Sequence, residues 1–312
     1  MKINRKKLII IIIVTFALIL IISAVIYFAR SPALLVTEQS FISLYGIERF
    51  RNDINRVSFS LFRQVKIVEV ANDAGDDIVQ FAVSDVCEKP FCVFFPRRFA
   101  RSANFYSEQN PGIRVAVLEG KYPEPSSLNA DNENFFNYRT DLESDFYKAG
   151  IVAAIFADNL NGNIAVLIEP EQNSAYGFIA REAVLRGISD HCLASKVPVH
   201  EAFFYTNSAG IPENAEISCV VIAGTGWEFL DKRKNIPVIM FTWLDPFVVP
   251  SDVVMVIDDS PAAQIRQAAA FISAGKTDER IPSKFYVFNR SFYDRGIFLK
   301  IKKIGRNAKL TP

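Results

Sequence analysis

Residues 33–71, ALLVTEQSFISLYGIERFRNDINRVSFSLFRQVKIVEVA, decide the fold. Ala33–Thr37 is a short, continuously apolar run, as expected of a strand buried on both faces. Phe41–Phe62 mixes polar and apolar residues at helical spacing, and Val65–Ala71 is again rich in β-branched residues. Two such strands around a helix make a parallel β-α-β unit.

The rhythm continues toward the C-terminus. Asp76–Val86 reads as a helix, Phe91–Phe95 as a strand and Phe99–Gln109 as a helix stopped by Asn110-Pro111-Gly112. Ile113–Leu118 is a fourth strand. Tyr122–Asp145 then interrupts the pattern with two prolines and six acidic residues, which predicts a surface crossover. A second series begins with a helix at Asp145–Leu160, whose Ala149, Gly150, Ala153 and Ala154 permit close packing. Strands are expected at Asn163–Ile168, Val197–Tyr205, Ile217–Ala223, Pro237–Thr242 and Val253–Ile257, with helices at Ala175–Gly187 and Trp227–Lys234. The last long helix has marked ends. Ser260 caps it, Pro261 suits its first turn, Ala262, Ile265, Ala269 and Ile272 form its inner stripe, and Gly275 closes it. Lys284–Asn289 and Gly296–Lys302 read as strands or edge pieces.

Toward the N-terminus, Leu8–Phe28 is 21 residues without a charge, preceded by Lys2, Arg5, Lys6 and Lys7. About 20 apolar residues cross a bilayer as a helix, and flanking cations stay cytoplasmic. A cleaved signal peptide has a shorter apolar region, and Tyr27-Phe28-Ala29-Arg30 is a poor cleavage site. The length favours an uncleaved anchor in the inner membrane, single-pass, with the bulk of the chain periplasmic. The few residues before the span argue against direct signalling by this chain. The expected organisation is a tip and anchor over residues 1–30, then a domain over 31–312. Its first lobe takes about 33–122 and 251–280, and its second about 141–245 and 281–304. Hinge strands are expected near Tyr122–Asp141 and Trp243–Ser251.

The 35 basic and 34 acidic side chains and an apolar half exclude a disordered tail, a collagen-like fibre and a polybasic nucleic-acid binder. Without the four N-terminal cations the remainder carries a net charge near −3. Four cysteines and two histidines, without a CxxC, leave little material for a zinc site. Outside the cytoplasm they permit disulfides, while Cys92 and Cys219, inside apolar strands, also suit buried free thiols. His191 and His200 flank no carboxylate pattern and read as ordinary surface residues, so no catalytic residue, metal or cofactor is expected. No G-x-S-x-G elbow occurs. Gly224-Thr225-Gly226 lacks the rest of a phosphate-loop motif and reads as a tight turn.

In parallel sheets ligands bind at the carboxyl ends of strands, and two facing lobes make a cleft there. The residues just past the strands are therefore the site candidates: Glu38, Ser40 and Phe41 after the first, with Asn72-Asp73, Pro96-Arg97-Arg98 and Glu119 beyond the next three. Gly224, Thr225 and Trp227, then Trp243 and Asp245, follow strands of the second lobe. Phe41 and the tryptophans offer stacking area, with Glu38 or Asp245 as an orienting carboxylate. The alternative is that Phe41 staples its own helix and the tryptophans fill lobe interiors.

Val36-Thr37-Glu38-Gln39-Ser40-Phe41, with Gly46 five residues on, resembles the opening of the basic membrane protein family. These are type I periplasmic binding proteins that include purine-nucleoside receptors of ABC transporters. Phe99–Gly120, Asp145–Ala154, Val220–Gly226 and Ile239–Asp245 are similar, in order, to the family's later motifs. The resemblance implies a two-lobed type I periplasmic-binding-protein-like α/β fold, two parallel-sheet lobes joined by crossovers, after the transmembrane helix. Departures fall in the ligand site. Ile42 replaces an asparagine, Glu119 an aspartate, and Asp245-Pro246-Phe247 an Asp-x-Asp-Gln pattern. The lysine expected near Asp259–Pro261 is absent. The expected function is capture of a small polar ligand, without nucleic acid, for an ABC permease or a membrane sensor partner. The other expectation is a degenerate fold used as an envelope scaffold.

Overall fold

The computed structural model describes residues 5–120, 132–168, 175–224, 228–232, 235–242, 249–276, 279–291 and 293–307. Helix α1 (Arg5–Ala29) is 25 residues long, roughly 37 Å at 1.5 Å per residue. Its stretch Ile11–Ala29 has a mean hydropathy of 3.0 and none of it is buried. By length and composition this helix is sufficient to cross a bilayer.

The first α/β series comprises β1 (Ala33–Glu38), α2 (Gln39–Tyr45), α3 (Ile47–Leu61), β2 (Val65–Val70), α4 (Asp76–Val86), β3 (Cys92–Pro96), α5 (Ala100–Gln109), β4 (Val115–Gly120) and β5 (Phe135–Thr140). The second comprises α6 (Leu142–Leu160), β6 (Asn163–Ile168), α7 (Ala175–Ser195), β7 (Ala202–Tyr205), β8 (Ile217–Ala223), α8 (Phe229–Lys232), β9 (Val238–Phe241) and β10 (Val253–Asp258). The chain ends with α9 (Pro261–Ser273), β11 (Glu279–Ile281), β12 (Lys284–Val287) and α10 (Arg295–Asn307). The strands form two six-stranded sheets, ordered β11-β5-β4-β3-β1-β2 and β12-β10-β9-β8-β6-β7. The chain forms two compact units, each holding most of one sheet, and passes between them within β4, β5 and α9.

The continuous apolar strands are parallel and covered, as their composition demands. β1 pairs in parallel with β2 and β3, and β6 with β7 and β8. All six residues of β1 are buried. Leu34, Val36, Val68, Val93, Phe95, Val115 and Val117 build one core with Val79 and Val83 of α4. In the second unit α6 packs on α7 so closely that glycine is required at two facing points. A Cβ on Gly150 would overlap the Val184 carbonyl, and one on Gly187 the Tyr147 carbonyl. The ends of α9 are as expected: Ser260 Oγ accepts the Ala263 N–H at 3.3 Å, and Gly275 has φ +68°.

Several elements differ from the sequence expectation. The helix expected across Phe41–Phe62 is divided into α2 and α3, because Gly46 takes φ +94°. Inside the expected crossover, Phe135–Thr140 is a strand whose apolar positions were obscured by Asn137 and Arg139. Its Phe135, Phe136, Tyr138 and Thr140 are buried. The preceding Asn134 donates to the carbonyls of Asn110 and Ile113, at 3.1 and 2.7 Å, and so pins the Asn110-Pro111-Gly112 stop. β7 is shorter than Val197–Tyr205 because the chain through Pro198 is irregular. β10, grouped with the first lobe from the sequence, joins the second sheet between β9 and β12. An all-apolar strand does not reveal its neighbours by composition. Gly296–Lys302 is helical, not extended: Asp294 Oδ1 caps the Ile297 N–H at 2.9 Å, and Ile297 and Ile301 bury one face of α10. All four cysteines are free thiols, three of them buried.

Candidate functional site

In the first unit, β1, β2 and β3 run parallel and bring the residues just past their ends together. Glu38 closes β1 in register with Val70 of β2, and its side chain is about one-tenth exposed. Arg98, in a 3-10 turn after β3, donates from Nη1 to Glu38 Oε2 at 2.8 Å. Its Nη2 donates to the backbone carbonyl of Asn72, after β2, at 2.6 Å. Ser40 Oγ lies 3.1 Å from Glu38 Oε2 and 2.8 Å from Asn72 Oδ1, so its single proton serves one of these acceptors at a time. Three strand ends thus present a carboxylate, a guanidinium, a hydroxyl and an amide as one connected set. Arg98 keeps more than half of its side-chain surface in solvent. The set offers donors and acceptors for a hydroxylated or anionic group.

Phe41 is half-buried beside this set, its ring centroid 5.8 Å from Tyr45 and 6.0 Å from Phe50. It belongs to an aromatic cluster on α2 and α3 in which Tyr45 donates to Asp53 Oδ2 at 2.9 Å. Ile42 is buried on α2, so a polar side chain there would face the core. Glu119 is fully buried in β4 and is followed by Gly120 at φ +63°. Gly224 follows β8 with φ +94° and is exposed, which lets the chain turn sharply at the strand end. Thr225, Trp227, Trp243 and Asp245 lie outside the described residues, as does Pro246.

The structure also gathers ionisable groups that the sequence did not connect. Asp145 of α6 is wholly buried, and Ser283 donates to it from both its backbone N–H and its hydroxyl. Burial pushes its carboxyl up to about 8, against the opposing pull of the Ser283 hydrogen bond and Lys148. Burial likewise lowers the Lys148 ammonium, which Asp145 and Asp141 partly offset. Lys148 Nζ sits 4.8 Å from the Phe285 ring centroid. The histidines, expected to be ordinary surface residues, both meet Asp158. His191 Nε2 is 2.8 Å from Asp158 Oδ2, and His200 Nε2 is 2.6 Å from Oδ1. These contacts join residues 33 and 42 positions apart, so no local pattern announces them. Arg98 and Asn72 carried one legible signal, their place immediately after strands.

No family model matches this chain, and no curated protein matches it. Solved structures do. A transcriptional activator of the comK gene from Bacillus halodurans is 14% identical with a TM-score of 0.57, covering 89% of this chain and 98% of that one. An ABC transporter solute-binding protein from Conexibacter woesei is 10% identical with a TM-score of 0.55, covering 89% and 95%. An ABC transporter periplasmic solute-binding protein from Actinobacillus succinogenes with bound D-allose is 12% identical with a TM-score of 0.50, covering 82% and 98%. These likenesses establish the fold: two parallel-sheet α/β lobes of the type I periplasmic binding protein kind, after an N-terminal apolar helix.

Proposed function

We propose that this chain is an extracytoplasmic solute-binding protein held to the membrane by α1, which captures a small polar ligand for an ABC permease or a membrane sensor partner. The observation that carries the reading is the set Glu38, Ser40, Asn72 and Arg98, converging from three parallel strands at their carboxyl ends. Ligands of such sheets bind at that edge. Two structures of this fold are described as solute-binding proteins of ABC transporters, one with a sugar bound. Lys2, Arg5, Lys6 and Lys7 before the span support a cytoplasmic N-terminus and an outward domain.

Within the fold, the motifs around Glu38-Gln39-Ser40-Phe41 and Asp145–Ala154 favour kinship with the basic membrane protein family. Ile42, Glu119 and Pro246 replace its polar partners, and each missing partner costs about 1–3 kcal/mol. Purine nucleosides therefore bind weakly, and sugars or other small polar solutes are the better candidates. A second reading, a scaffold without a small-molecule ligand, draws on the closure of Glu38 by Arg98 and of Phe41 by Tyr45 and Phe50.

Thermal-shift screening of the purified full-length protein in detergent, against sugars, amino acids and nucleosides, separates the two. A ligand at 100 times its Kd stabilises by about 2.7 kcal/mol. The solute-binding reading expects a shift with at least one polar solute, reduced in Arg98→Ala. An unchanged melting temperature across the whole panel would favour the scaffold.

A further inference from the structure

The opposite edge of the first sheet, where its strands begin, carries a second set of side chains that solute capture does not use. Only Arg30, Ser31 and Pro32 separate the end of α1 from β1. Even fully extended, that link reaches roughly 14 Å, so the strand-start edge stays close to the end of the span. The link is also fastened. Pro32 accepts the Phe91 N–H at 2.8 Å, Ala33 donates to the Gln64 carbonyl at 2.9 Å, and Arg63 donates to the Ser31 carbonyl. The rings of Tyr27 and Phe62 meet at 5.9 Å, with the Arg30 guanidinium 5.4 Å from the centre of Phe62. Arg63 and Arg114 both approach the Phe91 ring, at 4.1 and 5.7 Å.

Three arginines and three aromatic rings thus surround the point where α1 enters the domain. Among the described residues none of Arg30, Arg63 and Arg114 makes an ion pair with a carboxylate. Burial lowers the pKa of Arg63, and the like charge of Arg30 lowers it further. The nearby Glu88 and Lys89 are both exposed and offset each other. Unpaired cations beside half-exposed aromatic rings at the end of a span are the combination that suits the headgroup layer of a bilayer. The attraction of such cations to anionic headgroups acts over about one Debye length, 8–10 Å.

We propose that this collar docks the first unit onto anionic phospholipid headgroups around α1, holding its strand-start edge against the membrane and its strand-end edge away from it. The inference rests on the reading of α1 as a membrane anchor. It adds a lipid-facing surface to a domain otherwise tied to the span by this fastened link alone.

Hydrogen exchange read by mass spectrometry tests it on the full-length protein. The protein is reconstituted into phosphatidylcholine vesicles with or without 30% phosphatidylglycerol, and carbonate extraction checks the anchor in both. Docking expects exchange over residues 87–91 and 110–114 to slow at least fivefold in the anionic vesicles alone. Arg114→Glu, an exposed position, should abolish that protection and Arg114→Lys should keep it. Exchange that ignores lipid composition while carbonate leaves the protein in the vesicles overturns the docking and spares the anchor. Release by carbonate overturns the anchor and the docking with it.

Discussion

Ser283 donates its backbone N–H and its hydroxyl to the carboxyl group of Asp145, a side chain with no exposed surface. The pairing joins the start of α6 to the turn between β11 and β12, 138 residues later. Because burial raises the folded-state pKa to about 8, the folded protein holds a proton on Asp145 that the unfolded chain releases near pH 4. Stability from this group is full below pH 4 and falls as pH rises to about 8, by at most about 1.4 kcal/mol per unit. Melting temperatures from pH 5 to 8 should decline in the parent and decline less in Asp145→Asn. Parallel curves for the two proteins would show that Asp145 is ionised throughout.

Asp158 should behave with the opposite sign. Burial opposes ionisation there, but hydrogen bonds from His200 and His191 outweigh it and hold the carboxyl below its ordinary value. Its contribution is present above about pH 4 and is lost as pH falls through the depressed value. Asp158→Asn should cost about 1–2 kcal/mol at pH 7 and flatten the acid limb of the unfolding profile. Urea titrations at pH 7 and pH 3 make the comparison, and an equal cost at both pH values would refute the assignment.

The contact between α6 and α7 predicts intolerance of one methyl group. In Gly150→Ala or Gly187→Ala the new Cβ meets a backbone carbonyl, which cannot rotate away. Each substitution should cost about 1–3 kcal/mol, and the pair should be less than additive because both widen the same seam. Gly112→Ala, which meets nothing within 4 Å, is the control and should be nearly neutral. Chemical denaturation checks all four proteins; a neutral Gly150→Ala would mean that the helices separate freely.

At the strand-end edge, removal of Arg98 leaves the buried carboxylate of Glu38 facing the Ser40 hydroxyl, 3.1 Å away, which Asn72 also competes for. Arg98→Ala should destabilise by about 1–2 kcal/mol. The double variant Glu38→Gln/Arg98→Ala should recover part of that loss, since no uncompensated charge remains. Denaturation midpoints of the single and double variants decide it. A double variant no more stable than Arg98→Ala would mean that solvent, not Arg98, satisfies Glu38.

The ligand-facing candidates show how far strand ends can be read from sequence. Glu38 and Ser40 were legible because a parallel strand carries whatever follows it to one edge. Asn72 and Arg98 were legible in the same way, but their pairing with Ser40 and Glu38 was not, because the contacts span 32 and 60 residues. By sequence alone Arg98, next to Arg97 and near Arg101, fits a solvated helix start equally well. Phe41 is a similar case: its place after β1 was plain, while its contact with Phe50 depends on how Gly46 turns α2 against α3.

Local chemistry by itself determined the apolar span, the succession of buried strands and covering helices, and the capped ends of α9. Each of these follows from hydrophobic periodicity and from what proline, serine and glycine permit the backbone to do. Tertiary structure alone decided that β10 lies between β9 and β12 and that Phe135–Thr140 enters a sheet. It also decided the states of Asp145 and Asp158. Strand partners and buried charges depend on groups distant in the chain, and their energies arise only when water has been excluded from between them.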